Sequence, residues 1–88
     1  MIKLSKSFYI PISSIDCMWD YSIPTNEIKD FVKTQKEINQ QSVINLTGRN
    51  KLKTVVLTKN GKVILSPVNI LTLVNRCNNG TKPDSIDD

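Results

Sequence analysis

The chain has 88 residues, with 12 Lys and Arg, 8 Asp and Glu and no histidine, so its formal net charge is +4. With 39% hydrophobic and 23% charged residues, the composition is that of an ordinary globular protein, and the length suits one domain, placed here at residues 1–80. No apolar run approaches the ~20 residues of a membrane-spanning helix, and the first residues lack the apolar segment of a signal peptide. We therefore expect a cytoplasmic protein that has no membrane partner.

The residue types present argue against catalysis. Without histidine, the chain lacks the commonest general base and the commonest metal ligand. Cys17 and Cys77 are too few to complete a zinc site, so we expect two reduced thiols, with a single disulfide as the alternative. No glycine-rich phosphate loop and no nucleophile–base set is visible. We expect a protein that is not an enzyme and has no cofactor, metal or small-molecule substrate.

The first half of the chain predicts strands followed by a helix. Residues 8–19 are rich in β-branched and aromatic side chains and predict one or two short strands, with Pro11 at an edge or a break. Thr25 or Asn26 can cap a helix that runs over residues 25–39. Its apolar stripe has helical spacing and comprises Ile28, Phe31, Val32, Gln35 and Ile38. The lysines of this helix lie mainly off the stripe, which is typical of a solvated face.

Three further strands are predicted downstream, at residues 42–46, 53–58 and 62–66. Asn60-Gly61 joins the last two and favours a type I′ hairpin, because both residues accept a positive φ. These two strands are apolar without alternation, which is typical of strands covered on both faces. We expect the first helix to be one cover and a second subunit to be the other.

The last predicted element is a second helix. Ser66 would be its N-cap and Pro67 its first residue, and residues 78–80 would end it. One helical stripe holds Ile70, Leu73, Val74 and Cys77, and a different side holds Val68 and Leu71. A helix that is apolar on two sides needs two partners, which favours self-association. Residues 81–88 predict an acidic flexible tail. Taken together, the predicted elements give a small α+β protein with a mixed or antiparallel sheet, and the small size of the chain favours a homo-oligomer.

Positive charge is concentrated in the second half of the chain. No acidic residue occurs between Ile38 and Pro83, a stretch that carries Arg49, Lys51, Lys53, Lys59, Lys62, Arg76 and Lys82. The candidate site is the loop at residues 48–53, where Gly48 permits a tight turn and Arg49 offers a planar fork for phosphate or guanine. The other candidate contacts are Asn50 at a base edge or phosphate and Lys51 and Lys53 at phosphates.

At this point the sequence resembles the RemA/RemB family of bacterial extracellular-matrix regulators. The resemblance covers roughly residues 9–76, and its most diagnostic part is the order of a Gly48-Arg49 loop, an apolar strand, a hairpin, Ile64-Leu65-Ser66 and a helix. The family implies a DNA-binding transcriptional regulator of biofilm-matrix genes that forms a ring-like homo-oligomer. The family carries a Gly-Arg-Arg loop that is implicated in DNA contact. In this chain Arg49 matches the first arginine of that loop, and Asn50 occupies the position of the second. Another arginine of the family falls near Ser14.

Two hypotheses of function follow. In the first, a ring-like homo-oligomer binds double-stranded DNA, with Arg49, Lys51 and Lys53 at phosphates. In the second, the protein is an interaction module, a regulator or a phage-type inhibitor. Its basic loop docks on an acidic protein partner, and Val68 and Leu71 anchor that partner.

Overall fold

The computed structural model describes residues 1–78, which form two sheets and two helices. The strands are β1 (Ile2–Ser5), β2 (Phe8–Ile10), β3 (Ile15–Asp20), β4 (Val43–Asn45), β5 (Thr54–Thr58) and β6 (Val63–Ser66). The helices are α1 (Asn26–Ile38) and α2 (Ile70–Asn78). β1 and β2 form an antiparallel pair, and the other four strands form a sheet in the order β3-β5-β6-β4, in which β4 runs parallel to β6. The predicted α+β class with a mixed sheet is confirmed.

Helix α1 begins as its sequence predicts, and the first part of its predicted apolar stripe packs on the sheet. The Thr25 hydroxyl accepts a hydrogen bond from the Ile28 N–H at 3.4 Å, so Thr25 is the N-cap. Ile28 and Val32 are buried, whereas the lysines of α1 are exposed. At its C-terminal end, Ile38 is 77% exposed and lies outside the core. The apolar residues in the first two turns of α1 therefore pack the helix against the sheet, and the last turn does not contribute.

The central strands β5 and β6 are covered on both faces by the same chain. On one face, Val55, Val63 and Leu65 cluster with Ile28 and Val32 of α1. Because side chains alternate along a strand, the intervening residues point to the other face. There the buried cluster consists of Val56 and Ile64 with Ile2, Leu4 and Leu73. The expectation that a second subunit supplies this cover is wrong: β1 and α2 supply it.

Strand β1 was not predicted, although it is among the most buried parts of the chain. Ile2 and Leu4 are completely buried, and Lys3 is 8% exposed. The alternation of Ile2 and Leu4 with polar residues is a strand signal, but four residues beside two lysines are too short to distinguish it from chance. A buried hydrogen bond from the Ser66 hydroxyl to the Leu4 carbonyl, at 2.6 Å, ties β1 to β6.

The β5–β6 hairpin does not have the predicted type I′ turn. Gly61 has φ +84°, but Asn60 does not have a positive φ. The Thr58 N–H bonds to the Lys62 carbonyl at 2.9 Å, and the Gly61 N–H bonds to the Thr58 carbonyl at 3.1 Å. This is a three-residue loop, in which a turn is followed by a glycine in the left-handed region. Within this loop the Thr58 hydroxyl also donates a hydrogen bond to the Asn60 side-chain oxygen.

Helix α2 begins three residues later than the expected proline start. Ser66 belongs to β6, and its hydroxyl accepts the Val68 N–H at 3.1 Å. The Asn69 side chain accepts the Leu71 N–H at 2.8 Å, so Asn69 takes the capping role that had been assigned to Ser66. Val68 packs against the core before the helix starts, and only Leu71 remains as a second apolar side, 71% exposed.

The predicted helix end at residues 79 and 80 and the predicted tail at residues 81–88 lie outside the described residues. Within residues 1–78, neither helix is long and apolar enough to span a bilayer.

Candidate nucleic-acid interface

The candidate loop forms a tight turn whose tip is Gly48-Arg49. The Asn50 N–H donates to the Thr47 carbonyl at 2.8 Å, which closes a four-residue turn. Gly48 has φ +55° and Arg49 does not have a positive φ, the combination of a type II′ turn with glycine at its first central position. A Cβ at residue 48 would meet no atom within 4 Å, so glycine is favoured there by its backbone conformation.

The start of this turn is attached to the sheet. The Asn45 side chain accepts hydrogen bonds from the Thr47 N–H at 2.9 Å and from the Thr47 hydroxyl at 2.5 Å. The Leu46 N–H bonds to the Leu65 carbonyl at 2.9 Å, extending the pairing of β4 with β6. Arg49 therefore lies at the tip of a turn whose base is hydrogen-bonded to the sheet.

The four predicted contact residues are all exposed. Arg49 and Asn50 line a common cleft, whereas Lys51 and Lys53 are not part of its lining. The Lys53 N–H bonds to the Ser66 carbonyl at 3.0 Å, and the Lys53 carbonyl accepts the Tyr21 N–H at 2.8 Å. These bonds make Lys53 an extension of β5, and strand alternation places its side chain on the face that α1 covers.

Lys6, which the sequence reasoning missed, lies at the same cleft. It sits in the turn between β1 and β2, and this turn and the Gly48-Arg49 turn form the two sides of the cleft. The volume of the cleft is about 290 Å³, and its lining consists of Ser5, Lys6, Ser7, Leu46, Thr47, Gly48, Arg49, Asn50 and Pro67. No local sequence signal connects residues 6 and 49, because the packing of β1 on β6 is what brings them together.

The remaining cations of the acid-free stretch are distributed elsewhere. Arg76 is 8% exposed, and its guanidinium donates to the Lys3 carbonyl at 2.8 Å, so its role is structural. Lys59 and Lys62 flank the β5–β6 turn, at the opposite end of β5 from Lys53. The Lys59 N–H bonds to the Ser14 carbonyl at 2.8 Å, so Ser14 lies at that far end too. Among the described residues of this stretch, the exposed lysines of β5 and its turn thus lie at two ends, Lys53 at one and Lys59 and Lys62 at the other, while Lys82 lies outside the described residues.

Trp19, Cys17 and Cys77 are not among the residues that line the cleft. Trp19 packs against Phe31, with ring centroids 5.4 Å apart, and belongs to the cluster under α1, so it is an anchor of the core. Cys17 and Cys77 are free thiols, as predicted. Burial raises the pKa of both thiols, and the neighbouring Asp16 charge raises the pKa of Cys17 further. Both are therefore protonated near neutral pH and are poor nucleophiles.

Comparison with known proteins identifies the family of the chain. The family model for RemA-like proteins, described as extracellular matrix regulatory protein A-like, matches residues 1–77. A comparison with curated proteins gave no match. The match extends through β1 at one end and nearly to the end of α2 at the other, so it includes both turns of the cleft. The chain belongs to the RemA-like family of extracellular matrix regulatory proteins.

Proposed function

We propose that this protein is a cytoplasmic, non-enzymatic regulator that binds double-stranded DNA as a ring-like homo-oligomer, with the Gly48-Arg49 turn of each subunit against a phosphate backbone. The observation that carries the proposal is an exposed arginine at the tip of a tight glycine turn, in a stretch of chain that has no acidic residue between Ile38 and Pro83. Membership of a family of matrix regulators is in keeping with transcriptional control.

The chemistry of the turn suits phosphate binding. The guanidinium of Arg49 is always charged, and its planar fork matches two phosphate oxygens. Asn50 supplies a neutral amide that donates to phosphate or pairs with an adenine edge, in place of a second arginine. Lys51 and Lys53 are exposed and add point charges for neighbouring phosphates. One subunit makes few contacts, so repetition of the turn in an oligomer supplies the avidity that a stable complex needs.

A charge-matched pair of triple variants tests the site. The loop variant is Arg49→Gln, Lys51→Gln and Lys53→Gln; the control is Lys29→Gln, Lys33→Gln and Lys36→Gln on the exposed face of α1. Each removes three positive charges from a net charge of +4, so a general electrostatic effect weakens both equally.

The assay is fluorescence anisotropy of a labelled duplex at about 50 mM and 200 mM salt. Each lost phosphate contact lowers the slope of log K against log salt by about 0.9. For each subunit on the DNA, the wild type should therefore lose about 40-fold more affinity over this range than the loop variant. Equal losses in the loop and α1 variants would refute the site.

Light scattering tests the assembly. We expect a solution mass several times the 9.9 kDa of one chain, rising when duplex DNA is added. A mass of one chain at micromolar concentration would contradict the ring. Recovery of an acidic protein and no DNA in a pull-down from host cells would favour the interaction-module alternative. In that case Leu71 is available as an anchor, whereas Val68 packs against the core.

A further inference from the structure

The cleft beside the Gly48-Arg49 turn has a charge distribution that suits an anion. Lys6 stands in the turn on one side, Arg49 in the turn on the other, and none of the lining residues is acidic. Among residues 1–78, no side-chain hydrogen bond or ion pair involves Lys6 or Arg49. Two like charges at one cleft repel each other, and a bound anion between them converts that repulsion into two attractions.

The neutral groups of the lining are of the kind that completes a phosphate site. Ser5 and Ser7 carry hydroxyls on the side of Lys6, and Asn50 carries an amide on the side of Arg49. Hydroxyl, amide and cationic N–H donors are the usual partners of phosphate oxygens in proteins. The volume of about 290 Å³ lies just below the ~300–1,000 Å³ of sites for drug-sized molecules. A small, polar ligand such as one phosphate ester suits this cleft.

Both sides of the cleft are held by hydrogen bonds. On one side, Leu4 precedes the Lys6 turn, is completely buried and receives the Ser66 hydroxyl hydrogen bond at 2.6 Å. On the other side, the Asn50 N–H bond to Thr47 closes the Arg49 turn. Pro67, which follows Ser66 directly, lines the cleft between them. The backbone of the two turns is therefore in place before a ligand arrives, which lowers the entropic cost of binding.

We propose that Lys6 and Arg49 bind the same phosphate group, a backbone phosphodiester of the DNA, in the cleft between the β1–β2 turn and the Gly48-Arg49 turn. This inference rests on the proposed function and adds Lys6, 43 positions before Arg49 in the chain, to the DNA contacts. The same chemistry would also accept the phosphate of a free nucleotide, so the experiment has an arm for each source.

The first arm measures binding of a labelled duplex by the wild type, Lys6→Gln, Arg49→Gln and the double variant. Lys59→Gln is the control, since Lys59 is also an exposed turn lysine but lies at the far end of β5. We expect Lys6→Gln to lower the slope of log K against log salt by about 0.9 for each subunit on the DNA. Between about 50 mM and 200 mM salt, Lys6→Gln should therefore lose about 3.5-fold less affinity than the wild type does. The Lys59→Gln control should have the same slope as the wild type.

The double variant distinguishes one shared phosphate from two separate phosphates. Residues that act on one group are not additive, so the double variant should lose less affinity than the product of the two single losses. If Arg49→Gln weakens binding while Lys6→Gln behaves like Lys59→Gln, this inference is overturned and the proposed function stands. Strict additivity of the two losses also overturns the shared phosphate.

The second arm adds adenosine monophosphate to ¹⁵N-labelled protein and follows the amide signals of residues 5–7 and 47–50. Shifts confined to these residues, in protein that does not bind the duplex, would mean that the cleft binds a free nucleotide. In that case the assignment of the bound phosphate to a DNA backbone would be wrong, and so would the proposed function. The cleft would still be a phosphate-binding site. Absence of both duplex binding and nucleotide shifts overturns the cleft as a phosphate site.

Discussion

The hydrogen bonds of Ser66 allow the sharpest test of how the fold positions the cleft. The Ser66 hydroxyl is completely buried, donates to the Leu4 carbonyl at 2.6 Å and accepts the Val68 N–H at 3.1 Å. Leu4 has no paired residue in β2, because the register of the two strands shifts between Lys3 and Ser5. The Ser66→Ala variant therefore leaves one buried carbonyl and one partly buried N–H without this partner.

The size of the effect follows from those two groups. A buried polar group left unsatisfied costs ~1–3 kcal/mol, and the alanine methyl leaves almost no cavity. We take about 2 kcal/mol for the Leu4 carbonyl and about 1 kcal/mol for the less buried Val68 N–H. Ser66→Ala should thus lower the free energy of unfolding by about 3 kcal/mol, a large share of the ~4–13 kcal/mol expected for a chain of this length.

The control is Ser14→Ala, which removes a hydroxyl that donates to the Pro11 carbonyl at 2.7 Å near the surface. Water can replace that bond, so the expected loss is below about 0.5 kcal/mol. Urea unfolding is followed by the fluorescence of Trp19, the only tryptophan, and by circular dichroism at one protein concentration, since assembly makes stability depend on concentration. If Ser66→Ala destabilises no more than Ser14→Ala does, then the Ser66 bonds do not hold β1 in place.

Two further predictions concern α2 and the segment before α1. Leu73→Ala should lower the free energy of unfolding by ~2–5 kcal/mol because Leu73 is completely buried, whereas Leu71→Ala, at 71% exposure, should change it by less than ~0.5 kcal/mol at equal solution mass. Equal effects would contradict the orientation of α2. The Ser22 hydroxyl and N–H donate to the Asp20 carboxylate and hold the pKa of Asp20 below its usual value. The ionised carboxylate therefore stabilises the folded state at pH values above the unfolded-state pKa of Asp20. This contribution is lost as the pH falls through the lower folded-state pKa. Ser22→Ala should raise the Asp20 pKa in an NMR titration; an unchanged value would exclude the hydroxyl as the cause.

Several elements were predictable because their signals are local. Thr25 caps α1, and the spacing of Ile28 and Val32 selects its buried face, within a few residues of one another. The apolar runs of β5 and β6 flank a glycine turn, so their pairing needs only a short loop. Gly48 before Arg49 marks a turn for the same reason, since the backbone conformation depends on one residue.

The turn chemistry shows the limit of local reasoning. Asn60-Gly61 favours a two-residue turn in isolation, but the chain forms a three-residue loop that contains the Thr58–Lys62 pairing and a side-chain bond between Thr58 and Asn60. Ser66 before Pro67 has the pattern of a helix start, yet its hydroxyl is used by Leu4, 62 positions earlier in the chain. In the second case a hydrogen bond to a residue far away in the chain overrides a capping preference of about 1 kcal/mol.

By itself, the sequence determined the α+β class, helix α1, the β5–β6 pair and an exposed arginine turn, because each depends on neighbouring residues and on which side chains avoid water. Only the tertiary structure decided that β1 and α2 cover the second face of the sheet, that Arg76 is buried and that Lys6 lies across a cleft from Arg49. The contacts of β1 with the sheet, of Arg76 with Lys3 and of Lys6 with the Arg49 cleft join residues that are 40 or more positions apart. Their physical cause is the burial of β1 and α2 against the sheet, which periodicity along the chain does not encode.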